Sequence, residues 1–279
     1  MSFFQLSTFN IHVAILLFMP MFAVNSFADT SIPDYRQMAQ LAEYVGVDYP
    51  EAVGNGEVIN EGEYQEMLEF SSILLAQAKS SEIKTLISKT QALEAAIQEK
   101  LSAVVIQQLC SQLRTDLLEH ISQTALPKQL LPAAETQSLF LSHCSACHGT
   151  QGKGNGPASV GLEPAPTNFT DRARALNRSI LGLYDAITNG IDDTAMAAYV
   201  QLDEQQRWSL GFYVGGLAFE GSPGTSTGES SWSLEELINY SPTQLAKGDN
   251  GKLEKAAVLR ASPEVLFPSA QSPLTIARN

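Results

Sequence analysis

The chain has 279 residues, 30 acidic and 17 basic, for a formal net charge of −13. That balance excludes a protein that grips nucleic acid or anionic lipid through a basic surface, because neutralising phosphate takes clustered Lys and Arg. Hydrophobic residues make up 44% and charged residues 17%, so hydrophobic cores can form, wholesale disorder is excluded, and the length suits about two domains with connecting segments.

The first 28 residues hold no Asp, Glu, Lys or Arg, and Ile11 to Val24 is an almost unbroken apolar run. Ser26 and Ala28 offer the small side chains that signal peptidase needs, so residues 1–28 are expected to be an export signal cut before Asp29; the alternative is an uncleaved membrane anchor. The protein is therefore expected in the periplasm. Composition divides the rest into residues 29–132, 133–220 and 221–279, which carry −8, −4 and −1. The acidity is concentrated at the front, where Leu41 to Glu69 holds eight acids and no base.

Residues 29–132 read as an acidic bundle of antiparallel helices. Tyr35, Met38, Leu41, Ala42 and Val45 recur at helical spacing until Tyr49-Pro50 and Gly54-Asn55-Gly56 break the pattern. Asn60 ahead of Glu61 and Glu63 predicts a capped second helix to about Gln77, with Met67, Leu68, Phe70, Ile73, Leu74 and Leu75 as its apolar face. Leu86 to Leu101 and Val104 to Ile121 continue the helical pattern, with Leu109, Leu113 and Leu117 as one stripe and Pro127 and Pro132 as the stop. Cys110 reads as a buried free thiol. Past Glu220 a Gly/Ser/Thr-rich linker opens a partly ordered tail, in which Ser233 predicts a capped helix through Lys247 and Ser262-Pro263 a second short one.

The chemistry concentrates in Cys144-Ser145-Ala146-Cys147-His148, the attachment pattern of c-type haem. Thiols three residues apart lie on one side of a helical turn and can both bond one macrocycle, while the next residue offers an imidazole to the iron. A Cys144–Cys147 disulfide or redox pair leaves His148 unexplained, and a zinc site has only Cys110, His120 and His143 from which to draw more ligands. The glycines at 152, 154 and 156 follow this motif rather than a strand, so they read as loop and not as a phosphate cradle. No histidine and only one methionine, Met196, follow His148. Lone methionines are usually core fillers, but this one sits between two helical patterns and is the candidate sixth ligand. His143, on the proximal side, reads as an exposed or capping residue.

Residues 133–220 resemble a class I cytochrome c: a helix into the haem motif, the loop Leu162 to Phe169 with Pro164 and Pro166, a helix Ile180 to Asn189, the Met196 loop, and a last helix Glu204 to Leu217. The resemblance implies one covalent haem c on Cys144 and Cys147, axial His148 and Met196, a Pro164 or Pro166 carbonyl on the imidazole, and Phe140 near Trp208, Phe212 or Tyr213. Burial of the haem is expected from Phe140, Leu162, Phe169, Leu181, Tyr184, Ile187 and Tyr199. Ala197 stands where that family often has proline. Leu41 to Ser71 is similar to the exported front part of bacterial fusions of a cytochrome c with a high-affinity iron permease. None of the eight arginines begins an Arg-Glu-x-x-Glu iron-path signature, so the sequence is expected to represent that architecture without its permease.

The expected fold is all-α: helical bundle, class I cytochrome c fold, partly ordered tail. The expected function is one-electron transfer by a His/Met haem, tied to a redox partner and to iron uptake by an inner-membrane permease. Two alternatives stand beside it. One is an iron-binding or haem-sensor module in which Glu63, Glu66 and Glu69, at i, i+3 and i+6, gather Fe²⁺ or Fe³⁺; ordinarily such a run is a solvated helix face. The other is a haem peroxidase with a displaceable Met196.

Overall fold

Asp34 starts the first helix by accepting the backbone N–H groups of Arg36 and Gln37. The computed structural model describes residues 33–121, 126–191, 194–221 and 232–267; the expected export signal, most of the expected linker and the last twelve positions lie outside the described residues. Helix α1 (Tyr35–Ala52) does not stop at Tyr49-Pro50 as expected. Pro50 falls in its last turn, where a missing N–H costs a single bond, and the Val53 N–H still reaches Tyr49 O. Asn55 and Gly56, with φ of 54° and 80°, then turn a hairpin of β1 (Val53–Gly54) and β2 (Glu57–Val58), in which Val53 faces Val58.

Asn60 caps α2 (Glu61–Ser80) as its position predicts, bonding the N–H groups of Gly62 and Glu63. Helices α3 (Lys84–Gln98) and α4 (Ala103–Leu118) follow, and packing runs α1 on α2, α2 on α3, α3 on α4 and α4 back on α1. This is a closed four-helix bundle around Met38, Met67, Phe70, Leu86, Ile97 and Leu113. The α4 stripe is Ile106, Cys110, Leu113 and Leu117, with Leu109 only partly buried.

Helix α5 (Ala133–His143) leads into the single turn α6 (Ser145–His148); α7 (Arg172–Asn177), α8 (Ile180–Asn189) and α9 (Glu204–Gly216) complete this part. Helices α5 and α9 pack together with the Phe140 and Tyr213 rings 5.3 Å apart, as expected, and Tyr184 of α8 stacks on Trp208 of α9 at 3.9 Å. The tail is more helical than its sequence suggests. Its expected helix through Lys247 is two, α10 (Leu234–Asn239) and α11 (Pro242–Ala246), because Pro242 keeps Ser241 out of helical geometry and Ser241 becomes a new N-cap. An unforeseen α12 (Asn250–Ala261), capped by Asp249, packs on α9 and α11.

Buried charge joins these parts. Glu43 of α1, 5% exposed, meets Arg114 Nε of α4 at 2.8 Å and accepts Ser179 N–H at 3.0 Å and Ser179 Oγ–H at 2.6 Å at the start of α8. Arg114 also donates to Ser179 Oγ (2.8 Å) and Asn239 O (2.5 Å), so one ion pair holds bundle, α8 and tail. Gly182 permits the approach, since a Cβ there would lie 2.2 Å from Glu43 Oε1. Burial opposes ionisation of Glu43, but Arg114, Arg178 and the Ser179 bonds outweigh it and hold its carboxyl below the ordinary value of 4.5. A carboxyl depressed in the folded state contributes stability above its unfolded pKa and loses it as pH falls through the folded value. Chemical or thermal melts should therefore show stability dropping as pH falls below 4.5, and Glu43→Ala, which leaves Arg114 buried without its partner, should cost about 3–5 kcal/mol at neutral pH and flatten that dependence.

Candidate functional site

The Cys144 N–H bonds Phe140 O at 2.9 Å and the His148 N–H bonds Cys144 O at 2.9 Å, so the α5 terminus runs straight into the turn that carries both thiols and the imidazole. The chain after it folds back on the same turn: Gly154 N–H donates to His148 O (2.8 Å) and Gly156 N–H to Cys147 O (3.0 Å). Gly154 is required twice over. Its φ is +73°, and a Cβ would stand 2.2 Å from Pro166 O. This contact seats the proline loop, which a bond from Phe169 N–H to Gly152 O (2.7 Å) fixes from its other end.

His148 Nδ1 faces Thr167 O at 3.1 Å, and its ring stacks on Phe169 with centroids 4.6 Å apart. The expected acceptor was Pro164 or Pro166; the carbonyl in that place belongs to Thr167, one residue further, while both prolines line the cleft. A carbonyl only accepts, so the ring proton is on Nδ1 and Nε2 keeps its lone pair. Burial lowers the pKa of His148 against the opposing effect of the Thr167 carbonyl, which keeps the ring neutral. Cys144 is pushed up to about 11, by burial first and then by Cys147, so its sulfur is a protonated thiol at neutral pH.

Facing the turn is the loop after α8. Gly190, with φ +76°, lets the chain return; Ile191 N–H bonds Met196 O at 2.9 Å, Met196 N–H bonds Thr194 Oγ1 at 3.1 Å, and Tyr199 N–H bonds Ile187 O at 2.9 Å. Tyr199 Oη then donates to His143 O at 2.8 Å, tying the loop to the end of α5, and His143 lies half-buried, edge-on to the Tyr199 ring.

A single cleft is lined by Cys144, Cys147, His148, Met196 and Tyr199, together with Leu162, the two prolines, Ile191 and Thr194. The residues present fit haem c: two thiols, a neutral imidazole and a thioether share one largely apolar cleft. Phe140, Leu181, Tyr184 and Ile187 do not line it; they form the core between α5, α8 and α9. The residue missed from sequence is Tyr44, which reaches the cleft from α1 of the bundle. Its helical spacing marked α1 as amphipathic but could not say that this ring faces another part of the chain.

Glu63, Glu66 and Glu69 lie in a separate groove with Asn60, Phe70, Glu163 and Pro164. Burial, then Glu63 and Asp48, push Glu66 up to about 7. Among the described residues no group of three or more His, Cys, Asp or Glu is placed to hold a metal ion, so the three glutamates share a helix face without converging. Cys110 is buried and unpaired with another cysteine, as expected.

Residues 133–218 match the family model of cytochrome c, and residues 31–124 match the iron permease-associated 4-helix bundle domain. The chain joins such a bundle to a cytochrome c domain. Neither a curated protein nor a solved structure matches it. The order, bundle before cytochrome, is the one anticipated from the resemblances, and the bundle match is wider than the Leu41 to Ser71 stretch that suggested it. Among the described residues no helix is long and apolar enough to cross a membrane. Because Gly154 seats the proline loop of the cytochrome domain, Gly154→Ala should lower the melting temperature and cost at least about 1–3 kcal/mol, measurable by thermal denaturation against wild type.

Proposed function

We propose that this protein is an exported c-type cytochrome that relays single electrons in the service of iron uptake. Cys144 and Cys147 would hold one haem c through thioether bonds, and His148 Nε2 and Met196 Sδ would ligate its iron. The convergence of these four groups on one cleft, within a segment that matches cytochrome c, carries the reading. When bound, haem c supplies a reversible one-electron couple.

The chain's own residues do the rest. Thr167 O holds the proton on His148 Nδ1 and fixes the ring, which leaves Nε2 as a strong, oriented donor. The bonds of Ile191 and Thr194 fix the Met196 backbone, so its sulfur is presented by a pinned loop. A soft thioether favours reduced iron. Leu162, Pro164, Pro166 and Tyr199 keep the cleft apolar. An iron held by both His148 and Met196 would have no open site for substrate, which would favour electron exchange over substrate activation.

The link to iron is supported by the match of residues 31–124 to a domain associated with iron permeases. The partners are a redox protein and an inner-membrane iron permease, and the compartment is the periplasm, reached by an export signal at residues 1–28. The working parts are the bundle at 29–132, the cytochrome at 133–220 and a linker with a short helical tail at 221–279.

Exported with a haem-attachment system, the protein should give a sharp reduced-minus-oxidised band that survives acid extraction of non-covalent haem. Cys144→Ala or Cys147→Ala should weaken that retention. Met196→Ala should lower the reduction potential and open the iron to cyanide. Haem that extracts freely, or a potential indifferent to Met196, defeats the assignment.

A further inference from the structure

Helix α1 of the bundle and the short α7 of the cytochrome domain meet through Asp48 and Arg174. Asp48 is 2% exposed, and Arg174 Nη2 lies 2.5 Å from its Oδ1. The other terminal nitrogen, Nη1, pairs with Glu51 Oε1 at 2.8 Å one turn along α1. The same Nη2 also reaches Thr167 Oγ1 at 3.4 Å. Asp171 caps α7 by accepting the backbone N–H of Arg174 at 3.1 Å, which fixes where the guanidinium departs. Thr167 is the residue whose carbonyl faces His148 Nδ1. A continuous set of contacts thus runs from a buried carboxylate of the bundle to the imidazole of the haem motif.

We propose that Arg174, anchored on Asp48 and Glu51, is a positioning residue for His148: it holds Thr167 in place, so that the bundle sets the donor strength of the proximal ligand. The role rests on the haem reading above. Nothing else in the loop does the same job from this direction. Gly152 and Gly154 support residues 166–169 from the haem-motif side, leaving the Thr167 side chain to be held by Arg174.

The consequence has a definite sign. A carbonyl that accepts the Nδ1 proton makes the imidazole a better donor, which favours oxidised iron and lowers the potential. Loosening Thr167 therefore raises it. Through-space charge acts the other way, since losing the Arg174 cation near the site would favour oxidised iron and lower the potential. Lysine keeps the charge but not the planar fork that spans Asp48, Glu51 and Thr167. Thr167→Val removes the Oγ1 contact without altering charge or the backbone carbonyl.

The test is a redox titration of the haem-loaded full chain with Arg174→Lys, Arg174→Gln and Thr167→Val, using Lys89→Gln, which breaks the Lys89–Asp116 pair in the bundle (2.6 Å), as control. Arg174→Lys and Thr167→Val, which keep the charge, should shift the potential upward, and the control should not; Arg174→Gln, which also loses the cation, should lie below Arg174→Lys. Exchange of the His148 Nδ1 proton with solvent, followed by NMR, should quicken about fivefold in the same three. Arg174→Lys and Thr167→Val at the wild-type potential would overturn the positioning role. Lowered melting temperature with unchanged potential and unchanged proton exchange would overturn it too, marking Arg174 as a structural ion pair only. Should Arg174→Gln not fold, Thr167→Val decides alone. Absence of a covalent haem spectrum in the wild type would instead remove the haem reading itself, so the two failures are distinct.

Discussion

The Glu43 carboxylate is the constraint around which the described chain is arranged. It is buried, so it can remain charged only if its oxygens are matched by fixed donors, and those donors come from two separate stretches: Arg114 in α4, and the Arg178-Ser179 pair ahead of α8, with Arg178 at 3.9 Å. Arg114 carries the requirement onward to Asn239 O, and Arg260 of α12 reaches Arg178 O at 2.5 Å. A hydrophobic contact tolerates sliding; this network tolerates one register. That explains why the described residues form one compact unit, although two family models divide them.

Helix α1 consequently belongs to two sites at once. One stripe, with Met38, Ala42 and Val45, fills the bundle core. Another presents Arg36 to Asp185, Glu43 to Ser179, Tyr44 to the haem-motif cleft and Asp48 to Arg174. These contacts fall on successive turns, so the helix lies along the cytochrome domain rather than touching it end-on. Any motion of α1 has to be felt at α7 and α8, the elements that border the proline loop and the methionine loop.

What could be read from sequence follows from the range of the physics involved. Asn60, Ser233 and the bounds of α8 were legible because capping and helical periodicity are local. Cys144, Cys147 and His148 were legible because their chemistry demands a fixed short spacing, and Met196 because it alone remained downstream. Thr167 was missed by one residue: the acceptor depends on how Gly154 seats the proline loop, which is a contact between segments twelve residues apart in number and adjacent only in space. Helix α12 was missed because its buried residues, Ala256 to Arg260, are consecutive and bury against two partners, which erases the single-face pattern. Tyr44 and Arg174 were invisible for the same reason as Glu43, since a side chain's partner across a domain junction leaves no periodic trace.

The acidic front of the chain changes meaning once its partners are seen. Of the eight acids between Leu41 and Glu69, Glu43, Asp48 and Glu51 neutralise Arg114 and Arg174, two of whose three acidic partners are buried. Sequence counting assigned Asp48 and Glu51 to the bundle and Arg174 to the cytochrome, yet in space they meet at the junction, while Arg172 of α7 pairs with Glu254 of α12. The remaining acids, Glu57, Glu61, Glu63, Glu66 and Glu69, lie in the β2 and α2 region. There Glu63 and Glu66 are half-buried beside Glu163, and burial together with neighbouring carboxylates raises both their pKa values. With Glu66 pushed up to about 7, this groove is less negative near neutral pH than its composition implies, while at the junction Glu43 is held below its ordinary value and burial raises Asp48. Part of the bundle's acidity is therefore a device for holding Arg174 of the cytochrome domain and not only a surface turned toward cations.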